Sequence, residues 1–324
     1  MSQPPRSAPF RPGVGGSAPV EPDGEGPRPS GVLARRARRW ASIALPLALG
    51  MGASALAAAP GCTHDAEPTR LQGQVRLTLI HTSDIHSRLF PYNLLLGQLD
   101  AGLGLGVANE VANVGGVARM SHIVGRERAR AARVLHVDGG DCFQGAPVFN
   151  FYNGEAEIRA LSAMGVDAML IANHEFDAGA RNLAIQLQNW ATFPALAANY
   201  RLEDPTMPGA SPPGTGFKPY QVYDLEGLKV AIIGMANLSS LSSIFDAPNR
   251  LGITPLQTTD VAQFYIDQLR PIVDVVGVVS HLGLDNDQRL IETTIGLDVI
   301  LGGHNPIVLQ PPKRVRDCSS HYDE

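Results

Sequence analysis

The sequence predicts an α/β fold in which helices cover a sheet of buried strands. Short apolar runs rich in Val, Ile and Leu recur from residue 75 onward, and helical patterns of seven to nineteen residues separate several of them. The chain of 324 residues is 44% hydrophobic and 18% charged, enough apolar material to bury the core that such a fold needs.

The expected strands, in order, are 75–81, 134–137, 168–171, 196–198, 230–234, 273–280 and 299–301. All are too short for a helix, and those after the first lack polar alternation, which suits strands covered on both faces. The expected helices are 114–132, 155–164, 180–190, 259–269 and 288–294; in all but the last, apolar residues return at three- and four-residue intervals. Residues 204–218 hold Pro205, Pro208, Pro212, Pro213 and three glycines, the composition of a surface loop. Gly102–Gly106 alternates Gly with Leu, lacks the Lys-Ser/Thr ending of a phosphate-binding loop, and is expected to be a flexible insertion.

Residues 1–61 do not belong to this pattern. Residues 1–31 are rich in Pro, Gly and Ser and are expected to be disordered. The basic block Arg35–Arg39 then leads into a short apolar centre, Ile43 to Met51, and the small residues Ala55–Ala59. A basic start, apolar middle and small-residue end describe a secretory leader, although the uncharged run is also just long enough to span a membrane. Export to the periplasm or cell envelope is the preferred expectation, with residues 62–74 as linker and 75–324 as the folded domain. Cys62 offers a lipid-attachment site. Contact with a membrane is expected only through such an anchor or an uncleaved leader. With Cys142 and Cys318 alone remaining, no disulfide framework is implied.

Charge narrows the ligands. The leader holds 7 Lys/Arg against 3 Asp/Glu, which leaves 19 against 28 in the rest of the chain. An acidic body does not suit a nucleic-acid polymer, whose phosphates need clustered Lys/Arg. A small anionic substrate would need local positive charge, and metal ions are the obvious source.

The chemistry lies at the strand ends. The first strand runs into Asp84-Ile85-His86, whose side chains, two apart at strand spacing, share one side and can meet on one ion. The next ends in Asp138-Gly139-Gly140-Asp141, and a third in Ala172-Asn173-His174-Glu175-Phe176-Asp177. The two late strands end in His281 and in Gly302-Gly303-His304. One Asp after a strand is an ordinary turn residue. Five such ends in order, at the edge where open α/β sheets carry their sites, point to a metal centre. His81 and His136 lie within apolar runs and are expected to be structural, and Cys142 to be a packed thiol.

Asp-x-His, Gly-Gly-Asp, Asn-His-Glu, a later His and Gly-His together resemble the ordered motifs of the calcineurin-like metallophosphoesterases. Ile80–His86 and Asn173–Asp177 resemble the 5′-nucleotidase branch. The resemblance covers about residues 75–316 and implies a four-layer α/β/β/α sandwich holding two divalent ions (Mn, Fe or Zn). It assigns Asp84 and His86 to the first ion, Asp141 to both, and Asn173, His281 and His304 to the second. It also implies hydrolysis of a small phosphate ester, a 5′-nucleotide or similar, by attack of a hydroxide bridging the two ions. His174 would stabilise charge on the phosphate or protonate the leaving group, and Asp177 would orient it. A weakened relative that binds without turnover, a cyclic phosphodiesterase and a sulfur-ester hydrolase remain open alternatives.

Three departures stand out. Ala172 replaces the Gly that often precedes Asn-His-Glu. Pro306 stands where the family has a His or Gln donor, and Asn305 beside it should face the other way. The chain also ends at Glu324, so the second, base-gripping domain of nucleotidases is expected to be absent.

Overall fold

The structure, a computed structural model, describes residues 71, 73–202, 217–237, 253–309 and 311–315. All of these belong to one unit, His64–Glu324. The leader, nearly all of the linker with Cys62, residues 204–216 of the proline-rich loop, and Cys318 lie outside the described residues.

In chain order the elements are β1 (Thr78–Thr82), β2 (Tyr92–Leu95), α1 (Gln98–Gly102), β3 (Val111–Val114), α2 (Val117–Arg130), β4 (Val134–Asp138), α3 (Val148–Tyr152), α4 (Glu155–Met164) and β5 (Ala168–Leu170). There follow a 3-10 turn (His174–Phe176), α5 (Ala180–Trp190), β6 (Ala195–Leu196), β7 (Tyr200–Leu202), β8 (Tyr220–Leu225) and β9 (Leu228–Met235). The last are β10 (Ile253–Pro255), α6 (Thr258–Leu269), β11 (Val275–Ser280), α7 (Leu284–Thr293) and β12 (Val299–Gly302).

Two four-stranded sheets organise them. The first, in order β1-β4-β5-β6, is parallel throughout. The second, β12-β11-β9-β8, is parallel except for β8 at its edge. Strand β9 shows how the layers stack. Val230 and Ile232 join a core with Leu135, Val137, Met169, Leu170 and Leu196 of the first sheet. The alternate residues Ala231, Ile233 and Met235 join a second core with Ala262, Ile266 and Leu269 of α6 and Leu290 of α7. A strand covered on both faces must be apolar at every position, which is why this run reads as continuous Val, Ile and Ala. Ile158 and Leu161 of α4 and Leu183 of α5 pack in the first core. The result is the expected α/β/β/α sandwich.

At Gly234 the sheets come so close that a Cβ would lie 2.6 Å from Leu196 Cβ, and Ala198 N–H donates to the Gly234 carbonyl at 2.8 Å. Among the described residues no helix is long and apolar enough to cross a membrane.

All seven expected strands and all five helices are present, with shifted ends. Residues 114–116 are not helical. Val114 pairs with Tyr92 in the β2–β3 hairpin, and Gly115 and Gly116 follow in the left-handed region at φ 72° and 90°. Helix α7 starts at Leu284, four residues before the expected 288, because the Asn305 carboxamide oxygen accepts the Leu284 N–H at 2.7 Å. Gly102–Gly106 closes the β2–β3 hairpin through an ordered bond from Leu105 N–H to the Asp100 carbonyl. Phe217 and Lys218, expected at the end of a surface loop, instead meet the sheet. Phe217 is buried against Phe176, and Lys218 bridges Leu196.

Candidate metal centre

The loop after β1 holds Asp84 and His86, but not at strand spacing as the sequence suggested. Strand β1 ends at Thr82, and Asp84, His86 and Ser87 take left-handed backbone at φ 54°, 49° and 57°. Three bonds to the loop after β4 fix this turn: Asp84, His86 and Ser87 N–H donate to the carbonyls of Gly140, Asp141 and Cys142 at 2.8–3.0 Å. The turn, not a pleat, turns both side chains to one side, with Asp84 Oδ1 3.9 Å from His86 Nε2.

Two groups of donor atoms emerge, each lying within 4.8 Å: Asp84, His86 and Asp141, and Asp141, His281 and His304. Asp141 is common to both. Its Oδ2 lies 2.9 Å from His281 Nε2, and its Oδ1 accepts the His174 N–H at 2.9 Å. His281 Nε2 is 3.8 Å from Asp84 Oδ1. Hydrogen bonds also orient the imidazoles. His281 Nδ1 donates to the Gly139 carbonyl at 2.8 Å and His86 Nδ1 to that of Gln144 at 3.1 Å, which leaves each Nε2 facing the acidic group.

Asn173 is buried, and its Oδ1 has no hydrogen-bond partner. A buried carbonyl oxygen without a donor is costly in an apolar interior and is what a cation requires as ligand. With the carboxylates and imidazoles, this donor set suits divalent cations. Asp84, His86, Asp141 and His304 are all non-glycine residues with positive φ. Such backbone is unfavourable and persists where surrounding structure enforces it, commonly at functional sites.

Electrostatics point the same way. Burial alone would pull the His281 imidazole down, but the bond to Asp141 and the charges of Asp141 and Asp84 hold it up at about 9. Burial pulls His304 down, and positive His281 adds to this. Burial pulls His81 down as well. A pocket that draws a proton so strongly onto one of its imidazoles is one that favours positive charge.

His174 stands beside this cluster, its ring edge-on to His86 at 5.3 Å between centroids. Its Nδ1 lies 2.8 Å from Asp177 Oδ2, and that bond raises its pKa despite the opposing effect of burial. The other ring nitrogen is thus free to act as a donor.

All eight sequence-identified residues gather at the ends of β1, β4, β5, β11 and β12. Pro306 offers no donor, and the Asn305 carboxamide oxygen is occupied by the Leu284 N–H. Cys142 packs in the core, where burial pushes its thiol well above the ordinary range. His136 is buried and bonded to Thr82 Oγ1 at 3.0 Å, a structural role.

Two contributors were missed. Asn237, buried just past β9, places its carboxamide nitrogen 3.4 Å from His304 Nε2. It is a sixth polar residue at a strand end, and the pattern that found the other five could have found it. Glu175 is wholly buried and accepts backbone N–H bonds from both the β4 and β5 loops. Burial, then the charge of Asp141, push its pKa up, while those backbone bonds oppose the rise and favour the carboxylate. Glycine makes the close packing possible. At Gly140, φ is 80° and a Cβ would lie 2.7 Å from Ala172 Cβ and 2.8 Å from the Leu170 carbonyl oxygen.

No family model matches the chain. It is 31% identical over 242 residues to the 5′-nucleotidase of Rattus norvegicus, covering 74% of this chain and 40% of that protein. To the 5′-nucleotidase of Diplobatis ommata it is 29% identical over 239 residues, covering 74% and 39%. Among solved structures it resembles a 5′-nucleotidase precursor from Thermus thermophilus, with a TM-score of 0.60 and 34% identity over 70% of this chain and 41% of that one. The chain therefore spans about two fifths of the length of these relatives.

Proposed function

The chain belongs to the 5′-nucleotidase-like branch of the calcineurin-like metallophosphoesterases, and from that premise we propose that it hydrolyses phosphate monoesters, 5′-nucleotides or esters of similar size. The observation that carries this reading is the single Asp141 carboxylate shared by two donor groups of three. Asp84, His86 and Asp141 would hold one divalent ion, and Asp141, Asn173, His281 and His304 a second, with Mn, Fe and Zn all compatible with these donors. When bound, such a pair supplies Lewis acidity toward phosphoryl oxygens and eases the ionisation of water at neutral pH.

The protein's own groups do the rest. The Asp177 carboxylate fixes the His174 ring through Nδ1 and favours its charged form. His174 Nε2–H then donates to the phosphoryl or leaving-group oxygen, offsetting charge that grows as the ester bond breaks. Residues 75–324 form the catalytic unit. The leader directs export, supported by its basic block, apolar centre and small-residue end. A mature N-terminus within residues 56–65, read by mass analysis, tests that part. A chain found intact from Met1 in the cytoplasm contradicts it.

Activity is tested on purified protein against nucleoside monophosphates, other phosphomonoesters, cyclic phosphodiesters and a sulfur ester, with metal content measured in parallel. His174→Ala should lower turnover on the preferred phosphomonoester by roughly a hundredfold or more while metal content stays unchanged. Loss of the metals in that variant refutes the role given to His174. Turnover confined to another ester class refutes the substrate.

A further inference from the structure

Glu175 lies in the 3-10 turn after β5 and is wholly buried. Its carboxylate accepts four backbone N–H groups. Oε2 takes those of Asp141 and Ala172, both at 2.9 Å, and Oε1 those of Cys142 at 2.8 Å and Phe143 at 3.4 Å. Three of the donors are consecutive. They follow Gly140 at φ 80° and begin with Asp141 at φ 52°, both left-handed. Successive N–H groups converging in this way form a concave anion site of the kind that elsewhere binds phosphate. Here a protein carboxylate fills it.

The placement of those N–H groups gives this anion a purpose. Asp141 is the residue common to both donor groups, and its left-handed backbone is unfavourable for any residue with a Cβ. Ala172 immediately precedes Asn173, and Glu175 itself immediately follows His174. One buried charge thus ties the β4 loop to the β5 loop at the two points where their functional side chains leave the backbone.

We propose that Glu175 is a positioning residue for metal binding: as an internal anion filling the nest at Asp141–Phe143, it holds Asp141 and Asn173 in ligating position before any ion arrives. The proposal rests on the metal reading given above. A glutamine at this position keeps the volume but presents an NH2 to one of the two pairs of N–H groups, donor against donor. The nest then loses half its acceptors and the strained turn loses its counterweight.

The test uses the full chain, stripped of metal by a chelator and titrated with Mn2+ well below the unfolding temperature. Electron paramagnetic resonance reads both the free ion and the exchange coupling of a bound pair. Glu175→Gln should need tenfold to a hundredfold more Mn2+ for half-saturation, the range for loss of an outer-shell partner, and should lose the coupled signal. Leu269→Ala, a cavity in the second core, to which neither Cys142 nor Phe143 belongs, controls for general loss of stability. It should lower the unfolding temperature and leave Mn2+ affinity and coupling intact. Equal affinity in Glu175→Gln and the unmodified protein overturns the proposal, as does an equal loss in Leu269→Ala. If the unmodified protein binds no Mn2+, the metal reading itself falls and takes this inference with it. Should Glu175→Gln not fold, hydrogen exchange on the unmodified apo protein decides. The amides of residues 141–143 and 172 should be protected like those of β4, and fast exchange there refutes a preformed nest.

Discussion

Acidification should destabilise this fold through His136, a residue outside both donor groups. The ring is buried in β4, with Nε2 3.0 Å from Thr82 Oγ1, and that hydroxyl gives its own proton to Asp138 Oδ2 at 2.6 Å. Nε2 must then be the protonated nitrogen, and Nδ1 is buried without a partner. A second proton would have nowhere to bond. Burial first, and the nearby Arg128 second, lower the pKa from 6.5 to about 4, against a smaller opposing effect of Asp167. Because the folded value lies below the unfolded one, the contribution is complete above pH 6.5 and is lost as pH falls through about 4. The full difference is about 3 kcal/mol at 1.36 kcal/mol per unit, and about 2 kcal/mol of it is lost between pH 7.5 and 5. Urea unfolding at those two pH values, with chelator present to remove metal linkage, measures it. His136→Gln keeps a donor toward Thr82 and cannot be charged, so its stability should fall by about 2 kcal/mol less over the same interval. Other titrating groups, such as Asp138, which burial holds at about 7, are common to both proteins. If the two proteins lose the same stability, the assignment of His136 as a neutral buried ring is wrong.

Three further outcomes are expected. In Asp177→Asn the His174 imidazole loses the bond that raises its pKa, so the alkaline limb of kcat/KM should move to lower pH, and an unmoved limb would separate the two residues. Pro306→Gln restores the donor that the family carries at this position and should lower the metal concentration needed for half-maximal rate, whereas Pro306→Ala, which frees φ without adding a donor, should not; identical behaviour of the two variants removes the missing-ligand argument. Gly234→Ala places a methyl 2.6 Å from Leu196 Cβ and should cost about 1–3 kcal/mol in urea unfolding through overpacking of the sheet interface, a cost that a neutral result would rule out.

The sequence made the buried strands legible because continuous apolar runs such as 230–234 have one stable use in a protein of this size: a strand covered on both faces. It was less informative at the edges. Strand β8, half-buried at five of its six positions, and the β2–β3 hairpin, where half-buried residues alternate with exposed ones, depend on a partner strand for their definition, and their composition alone does not announce them. Helix α7 gained a turn from Asn305, 21 residues downstream of Leu284, a contact no local pattern contains. Within the site, residue types at strand ends picked out side chains that the structure brings together, but gave the wrong reason for Asp84 and His86. Their convergence is a property of left-handed φ, which the side chains resist and the neighbouring loop imposes. Glu175 was visible only as part of a motif. Its partners are backbone amides, and those have no signature in a sequence.

The donors proposed for the site are not drawn from one layer. Asp84, His86, Asp141 and Asn173 extend from the first sheet, His281 and His304 from the second. An ion gripped by Asp141 and His281 together is therefore a rivet through the seam of the sandwich, and it can be held only while the two halves are docked. Seam strength then follows the metal supply: an ion at a hundred times its dissociation constant adds about 2.7 kcal/mol to the docked state. In a metal-poor surrounding the same polypeptide would be the softer object, more easily opened by heat or a protease, with no residue changed.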